Sequence, residues 1–299
     1  MQVAARRWLC RPRRGEDSTM IGHCTSGRRN IRLVACDIDG TLVSRHELLT
    51  PEAYLAKRIC DERGVFFTLA TGRVSSSAEL VARDLGVTAP VITNGGAAIK
   101  VPGKEYVRVL VIERDAACRA IEVGRRHGAE RYIYTGEQYL TETPGEHVAP
   151  YSQGIGIPIH PVKDLCEHAT DGAMSVVLRF NPAGDDTDEE VSSLLGELRD
   201  VALGGFRVSR SLRHMIEVAH PAAGKGEALK TLAAYLGVRI EETLAVGDSI
   251  GDLEMLDAAG IGVLVANAPP EILSPGRRVT KGAFSAGVLE AVRTYVSGE

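Results

Sequence analysis

The sequence predicts an α/β fold, a Rossmann-like doubly wound parallel sheet into which an α+β domain is inserted. Three observations predict it. Short apolar runs recur along the chain without the strict alternation of a strand that is wet on one face, so they read as strands buried on both faces. Segments of helical periodicity separate these runs, which is the pattern of βαβ units. Between about Ala98 and Glu217 the regular alternation breaks down, and strand-like and helix-like stretches mix.

Taken in chain order, residues 1–30 hold seven arginines against two acids, about +5 in a chain whose net charge is −4. An Arg-rich terminus with interspersed Gly and Ser is expected to be disordered. A nucleic-acid arm, a membrane-surface arm or a targeting leader are the other readings, and Met20 would serve equally well as a start. Trp8 is the segment's only aromatic residue, so no stacking platform for bases accompanies the arginines. The expected core comprises residues 31–97 and 218–299. Its strands are the runs Ile31 to Cys36, Val65 to Ala70, Pro90 to Thr93, Thr243 to Val246 and Ile261 to Val265.

Between the first two runs, Thr50 is placed to cap a helix that Pro51 opens and Gly64 ends, with Leu55, Ala56, Ile59 and Cys60 on one face. Ser76 to Leu85 followed by Gly86, and Lys225 to Leu236 followed by Gly237, repeat the design. The insertion, residues 98–217, holds strand-like stretches such as Val107 to Ile112 and Met174 to Phe180 beside the helical Ala116 to Arg126. Asn94-Gly95-Gly96 before it, and His220-Pro221 with Gly224 after it, are the expected hinges.

Composition excludes several classes. At 44% apolar and 25% charged, the chain is an ordinary globular one. No apolar stretch approaches the roughly 18 residues of a membrane span, so no membrane partner and a cytoplasmic location are expected. The six cysteines form no Cys-x-x-Cys pair and read as reduced structural thiols. The histidines, His214 and His220 included, form no metal-spaced cluster.

Three buried runs end alike: Cys36 leads into Asp37-Ile38-Asp39-Gly40-Thr41, Ala70 into Thr71-Gly72-Arg73, and Val246 into Gly247-Asp248-Ser249-Ile250-Gly251-Asp252. In an open parallel sheet these carboxyl ends share one edge, where ligands bind. Carboxylates converging with Thr71 and Lys225 suggest a phosphate and a divalent cation. A carboxylate about 4 Å from a phosphate dianion is repelled by roughly 8 kcal/mol at an effective dielectric near 20, so Asp37 needs a counter-charge to approach phosphorus. Mg²⁺ suits oxygen ligands such as Asp37, Asp248 and a backbone carbonyl near Asp39, with Asp252 orienting the site.

Asp39 follows Asp37 by two residues, so a continuing strand would aim both at one side, one at phosphorus and one at the leaving oxygen. Thr71 offers a hydroxyl, Gly72 close backbone approach and Lys225 an ammonium to the phosphoryl oxygens. Taken singly, each segment is also an ordinary turn or helix cap, and Lys225 also a solvated lysine.

Together, the four ordered segments resemble the haloacid dehalogenase superfamily. Asp37 to Thr41 is similar to its first motif, Thr71 to its second, Lys225 to its third, and Gly247-Asp248 with Asp252 to its fourth. Leu69 to Arg73, Thr93 to Gly96 and Gly224-Lys225-Gly226 resemble its Cof-type phosphatases, and the insertion resembles their cap domain. The resemblance implies an aspartyl-phosphate on Asp37, Mg²⁺ at Asp37, Asp39 and Asp248, and a cap that selects the substrate. Gly251 departs from the group, which usually carries Asn there. Asn267-Ala268 resembles a further segment near the pocket, although Asn after a strand is also a common turn residue.

The expected function is Mg²⁺-dependent hydrolysis of a small phosphorylated metabolite, a sugar phosphate or similar, with no nucleic-acid partner. The alternatives are a phosphosugar mutase and a weakened protein that only binds a phosphorylated ligand.

Overall fold

The computed structural model describes residues 30–44, 49–136, 138–146, 148–155, 157–169, 173–180, 188–212 and 214–299. The basic segment up to residue 29, with Met20, lies outside the described residues.

The first third of the chain builds β1 (Leu33–Cys36), α1 (Pro51–Glu62), β2 (Phe66–Leu69), α2 (Ser75–Leu85) and β3 (Val91–Thr93). The middle builds β4 (Ala98–Lys100), β5 (Tyr106–Val109), α3 (Arg114–Arg126), β6 (Glu130–Tyr134), β7 (Tyr139–Thr141), α4 (Val148–Ile155), β8 (Ile159–Pro161), β9 (Ser175–Arg179), α5 (Asp188–Ala202), β10 (Arg207–Leu212) and β11 (Met215–Ala219). The last part supplies α6 (Lys225–Tyr235), β12 (Thr243–Gly247), α7 (Leu253–Ala258), β13 (Ile261–Leu264), β14 (Arg278–Val279) and α8 (Phe284–Val292).

The core is a parallel sheet in the order β14-β13-β12-β1-β2, with β3 joined to the end of β2 through a parallel bridge between Ala70 and Ile92. Every residue of β1 and β12 is buried, which is why their sequences are continuous apolar runs. On one face α1, α2 and α8 pack against Val34, Cys36 and Val246, and on the other α6 and α7 pack against Leu33, Ala35 and Ala245. The α/β, doubly wound expectation therefore holds. The strand order diverges at β1: one branch runs to β2, while the chain returns on the opposite side as β12. That divergence opens the crevice at the carboxyl ends of β1 and β12.

One detail of the expected helices is corrected. Thr50 stands at the start of α1, but its hydroxyl makes no cap bond, because Glu52 Oε2 at 2.6 Å and Ser285 Oγ at 2.7 Å engage it instead.

Strands β4 and β5 continue antiparallel from β3 and bury Ile99 against the α6 face of the core. Beyond them, a second sheet in the order β10-β11-β9-β6-β7-β8 is antiparallel except for the β7–β8 pair. Its one face is covered by α3 and α5 over Ile133, Val176, Leu178, Ile216 and Val218. The opposite face carries Tyr132, Tyr134 and Tyr139, against which Tyr151 of α4 packs. None of the helices among the described residues is long and apolar enough to cross a membrane.

Candidate active site

Four of the residues singled out in the sequence meet at the carboxyl ends of β1 and β12. Asp37 leaves β1 with its backbone N–H bonded to the Val246 carbonyl at 3.0 Å, which locks the two strand ends together. Lys225, the first residue of α6, reaches back so that its Nζ donates to Asp37 Oδ1 at 2.7 Å and to Asp252 Oδ1 at 2.6 Å. All three side chains are buried. The second oxygen of Asp252 accepts from the Asp248 N–H, the Ser249 N–H and the Ser249 hydroxyl. With both oxygens engaged, Asp252 holds Lys225 and the 247–249 turn in place. Asp248 accepts the Thr41 hydroxyl at 2.7 Å. Gly40 lies beneath it at φ +90°, and a Cβ there would run into the Asp248 carboxylate, so both its backbone conformation and the close approach require glycine.

The electrostatics are those of a site with too much negative charge. Oxygens of Asp37, Asp248 and Asp252 lie within 4.8 Å of one another, with a single ammonium among them. Burial, reinforced by the Asp252 charge, pushes the Asp37 carboxyl up to about 8, and Lys225 only partly opposes this. Burial likewise pushes Asp248 up to about 6 despite the Thr41 hydrogen bond. Burial alone would depress the Lys225 ammonium, but Asp252 and Asp37 outweigh it and keep the lysine charged. Crowded hard oxygen donors with an uncompensated charge fit a divalent cation such as Mg²⁺.

Asp39 stands apart. Strand β1 ends at Cys36, and the chain turns through Gly40, so strand alternation does not carry as far as Asp39. Its side chain is 55% exposed and gripped by both arms of Arg73, Nε to Oδ2 at 2.8 Å and NH2 to Oδ1 at 2.6 Å. Thr71 is buried beyond β2, and its Oγ1 accepts the Arg73 N–H at 3.0 Å, which leaves the hydroxyl proton available. The loop after β3 braces this turn: the Gly95 N–H donates to the Thr71 carbonyl and the Asn94 N–H to the Arg73 carbonyl. Gly72 is open, since a Cβ there would meet nothing within 4 Å. Gly251 is exposed, and a Cβ there would contact only Ser249 Oγ at 3.5 Å, so its site has room for the larger side chain that the sequence lacks.

Several participants carry no signal of their own in the sequence. Arg73, Ser249 and Thr41 stand there only as neighbours of the motif residues. Asn267, which in the sequence also reads as a common turn residue, donates from Nδ2 to the Gly40 carbonyl at 2.8 Å and accepts the Phe284 N–H at 2.8 Å. It clamps the first motif from behind. His220 serves its own turn, accepting the Ala222 N–H at 3.0 Å.

Residues 34–292 match the family described as haloacid dehalogenase-like hydrolase. The chain belongs to this family. Among curated haloacid dehalogenase relatives, it is 28% identical over 266 residues to the phosphoglycolate phosphatase of Methanothermobacter thermautotrophicus, covering 89% of this chain and 99% of that one. It is 24% identical over 287 residues to a 5-amino-6-(5-phospho-D-ribitylamino)uracil phosphatase of Bacillus subtilis, covering 90% of this chain and 99% of that one. A solved haloacid dehalogenase-like hydrolase from B. subtilis superposes with a TM-score of 0.77 at 24% identity, over 88% of this chain and 99% of the other, and so shares the fold. The chain is accordingly an enzyme, a phosphatase of the haloacid dehalogenase type.

Proposed function

We propose that the enzyme hydrolyses a small phosphomonoester, a sugar phosphate or similar metabolite, with Mg²⁺ and through an aspartyl-phosphate on Asp37. The observation that carries this reading is the bunching of Asp37, Asp248 and Asp252 around Lys225 at the sheet edge. Lys225 occupies Oδ1 of Asp37, leaving Oδ2 to attack phosphorus. Thr71, the backbone at Gly72 and the Lys225 ammonium hold the phosphoryl oxygens, where fixed donors stabilise developing charge best. Asp39, steered by Arg73, gives a proton to the departing alcohol oxygen and then takes one from the water that opens the acyl phosphate. Mg²⁺ held by Asp37 and Asp248, with a backbone carbonyl near Asp39, would neutralise the charge that otherwise keeps carboxylate and phosphate apart. Asp252 is then an orienting residue, because it accepts from Lys225, from the Asp248 and Ser249 N–H groups and from the Ser249 hydroxyl.

Residues 98–217 act in this reading as a cap that covers the site and excludes polymeric substrates. The relatives named for phosphoglycolate and for a phospho-ribityl compound support a small soluble ester as substrate. A reducing, cytoplasmic setting agrees with the free thiols of Cys36, Cys60, Cys118 and Cys166.

Phosphate release from p-nitrophenyl phosphate and from a panel of sugar, polyol and nucleotide monophosphates, with and without Mg²⁺, tests the reading. Metal-dependent release is expected in the wild type, and background rates in a folded Asp37→Asn variant. Unchanged turnover in Asp37→Asn would remove the nucleophile assignment, and metal-independent turnover the cation.

A further inference from the structure

Strand β11 carries one acidic side chain that the fold leaves uncompensated. Ile216 and Val218 point into the cluster under α3 and α5, so Met215, Glu217 and Ala219 face the other way. Met215 packs against the tyrosine cluster, and Ala219 against Ala97 and Ala223 where the chain crosses to the core. Glu217, between them, therefore sits at the seam between the tyrosine-lined face and the catalytic edge. Its Oε2 lies 3.9 Å from where a Gly95 Cβ would be, which places the carboxylate over the loop that braces Thr71.

Nothing among the described residues satisfies that carboxylate. Lys225 is committed to Asp37 and Asp252, and Arg207 to Glu254 at 2.6 Å. Ser209, its cross-strand neighbour, donates to the Glu217 main-chain carbonyl instead. The Tyr139 and Tyr151 hydroxyls, which feel its charge, bond to each other at 3.0 Å. Burial pushes the carboxyl up to about 7, with Lys225 and Arg207 only partly restraining it. A part-buried acceptor without a donor is costly, and a ligand hydroxyl removes that cost where a second anion would add to it.

We propose that Glu217 is a specificity-determining residue that accepts hydroxyls of the leaving group. It selects phosphate esters of neutral, hydroxyl-rich alcohols such as open-chain polyols or sugars, and rejects esters whose leaving group bears its own carboxylate. This rests on the phosphatase reading above.

Steady-state rates on ribitol 5-phosphate, 2-phosphoglycolate and p-nitrophenyl phosphate separate the two. Glu217→Leu, which has no acceptor, should lower kcat/KM for ribitol 5-phosphate by about tenfold or more relative to p-nitrophenyl phosphate, the loss expected for one charge-assisted hydrogen bond. Glu217→Gln, which keeps an acceptor oxygen but no charge, should raise kcat/KM for 2-phosphoglycolate by about fivefold or more and melt no lower than wild type. Ratios among the three esters that stay within about twofold in both variants would overturn the role of Glu217 while leaving the phosphatase intact. A wild type silent on all three esters would instead overturn the phosphatase reading. In that event, calorimetric titration with ribitol 5-phosphate and 2-phosphoglycolate decides the inference: a preference for the polyol ester that Glu217→Leu abolishes supports it, and no preference overturns it.

Discussion

At the scale of single residues, the site is held by one buried cation between two carboxylates. Lys225 donates to both Asp37 and Asp252. Removing one partner from such a buried cluster strands the others, so Lys225→Met should cost about 3 kcal/mol in denaturant unfolding and lower kcat roughly 100-fold. A variant that melts like wild type and retains turnover would mean that the ammonium neither balances Asp37 nor steadies the phosphoryl group. The convergence of Asp37, Lys225, Asp248 and Asp252 was legible because each follows a strand end or opens a helix, and strand ends of a parallel sheet share an edge. The partner of Asp39 was not legible, because its capture by Arg73 joins residues 34 positions apart. Glu217 was hidden for a related reason: the face of a strand that meets the site is known only once the helices covering its other face are placed.

At the scale of elements, helices with a polar face and clear ends were readable within a residue or two, as α1, α2 and α6 illustrate. Helix α8 was not, because Phe284–Val292 carries little polar patterning; six of its nine residues are buried between α1 and the core. Strand β14 is two exposed residues at the sheet edge, too short to show any period. In the second sheet, the loop after β7 is tied to α3 by Glu142, which accepts from Arg125 at 2.6 Å, Arg131 at 2.6 Å and the Leu165 N–H at 3.2 Å. Burial works to raise the Glu142 carboxyl, but these donors, Arg125 foremost, hold it below its ordinary value of 4.5. A depressed carboxyl stabilises the fold fully above its unfolded pKa, and that contribution is lost as pH falls through the folded value. Glu142→Gln should therefore melt several degrees below wild type at pH 7, and the gap should close as the pH drops below about 4. Melting curves across that range check this, and a gap independent of pH would assign the effect to packing instead.

At the scale of the whole molecule, the second sheet is tied to the core by contacts of unequal strength. The Arg207–Glu254 ion pair is half exposed and, like other such pairs, contributes little to stability. The crossings themselves are tighter. Gly96 sits at φ +97°, and a Cβ there would collide with the backbone of Gly224, so the outgoing and returning chains touch main chain to main chain. Gly96→Ala should thus destabilise the protein by about 3 kcal/mol in chemical unfolding, combining backbone strain with the forced separation of the crossings. A neutral substitution would show that the two connections yield independently. The breakdown of alternation after β3 marks where the chain leaves the parallel sheet, but not that the outgoing and returning chains meet, since that contact joins residues 128 positions apart. The paired glycines also bear on how such a chain changes over generations. A detour that departs and returns at one point makes no demand on the strands it interrupts. The catalytic sheet can thus keep its register while the detour is lengthened, exchanged or re-faced, and on the cap reading proposed above a new substrate becomes a matter of refitting an attachment while the machine beneath stays as it was.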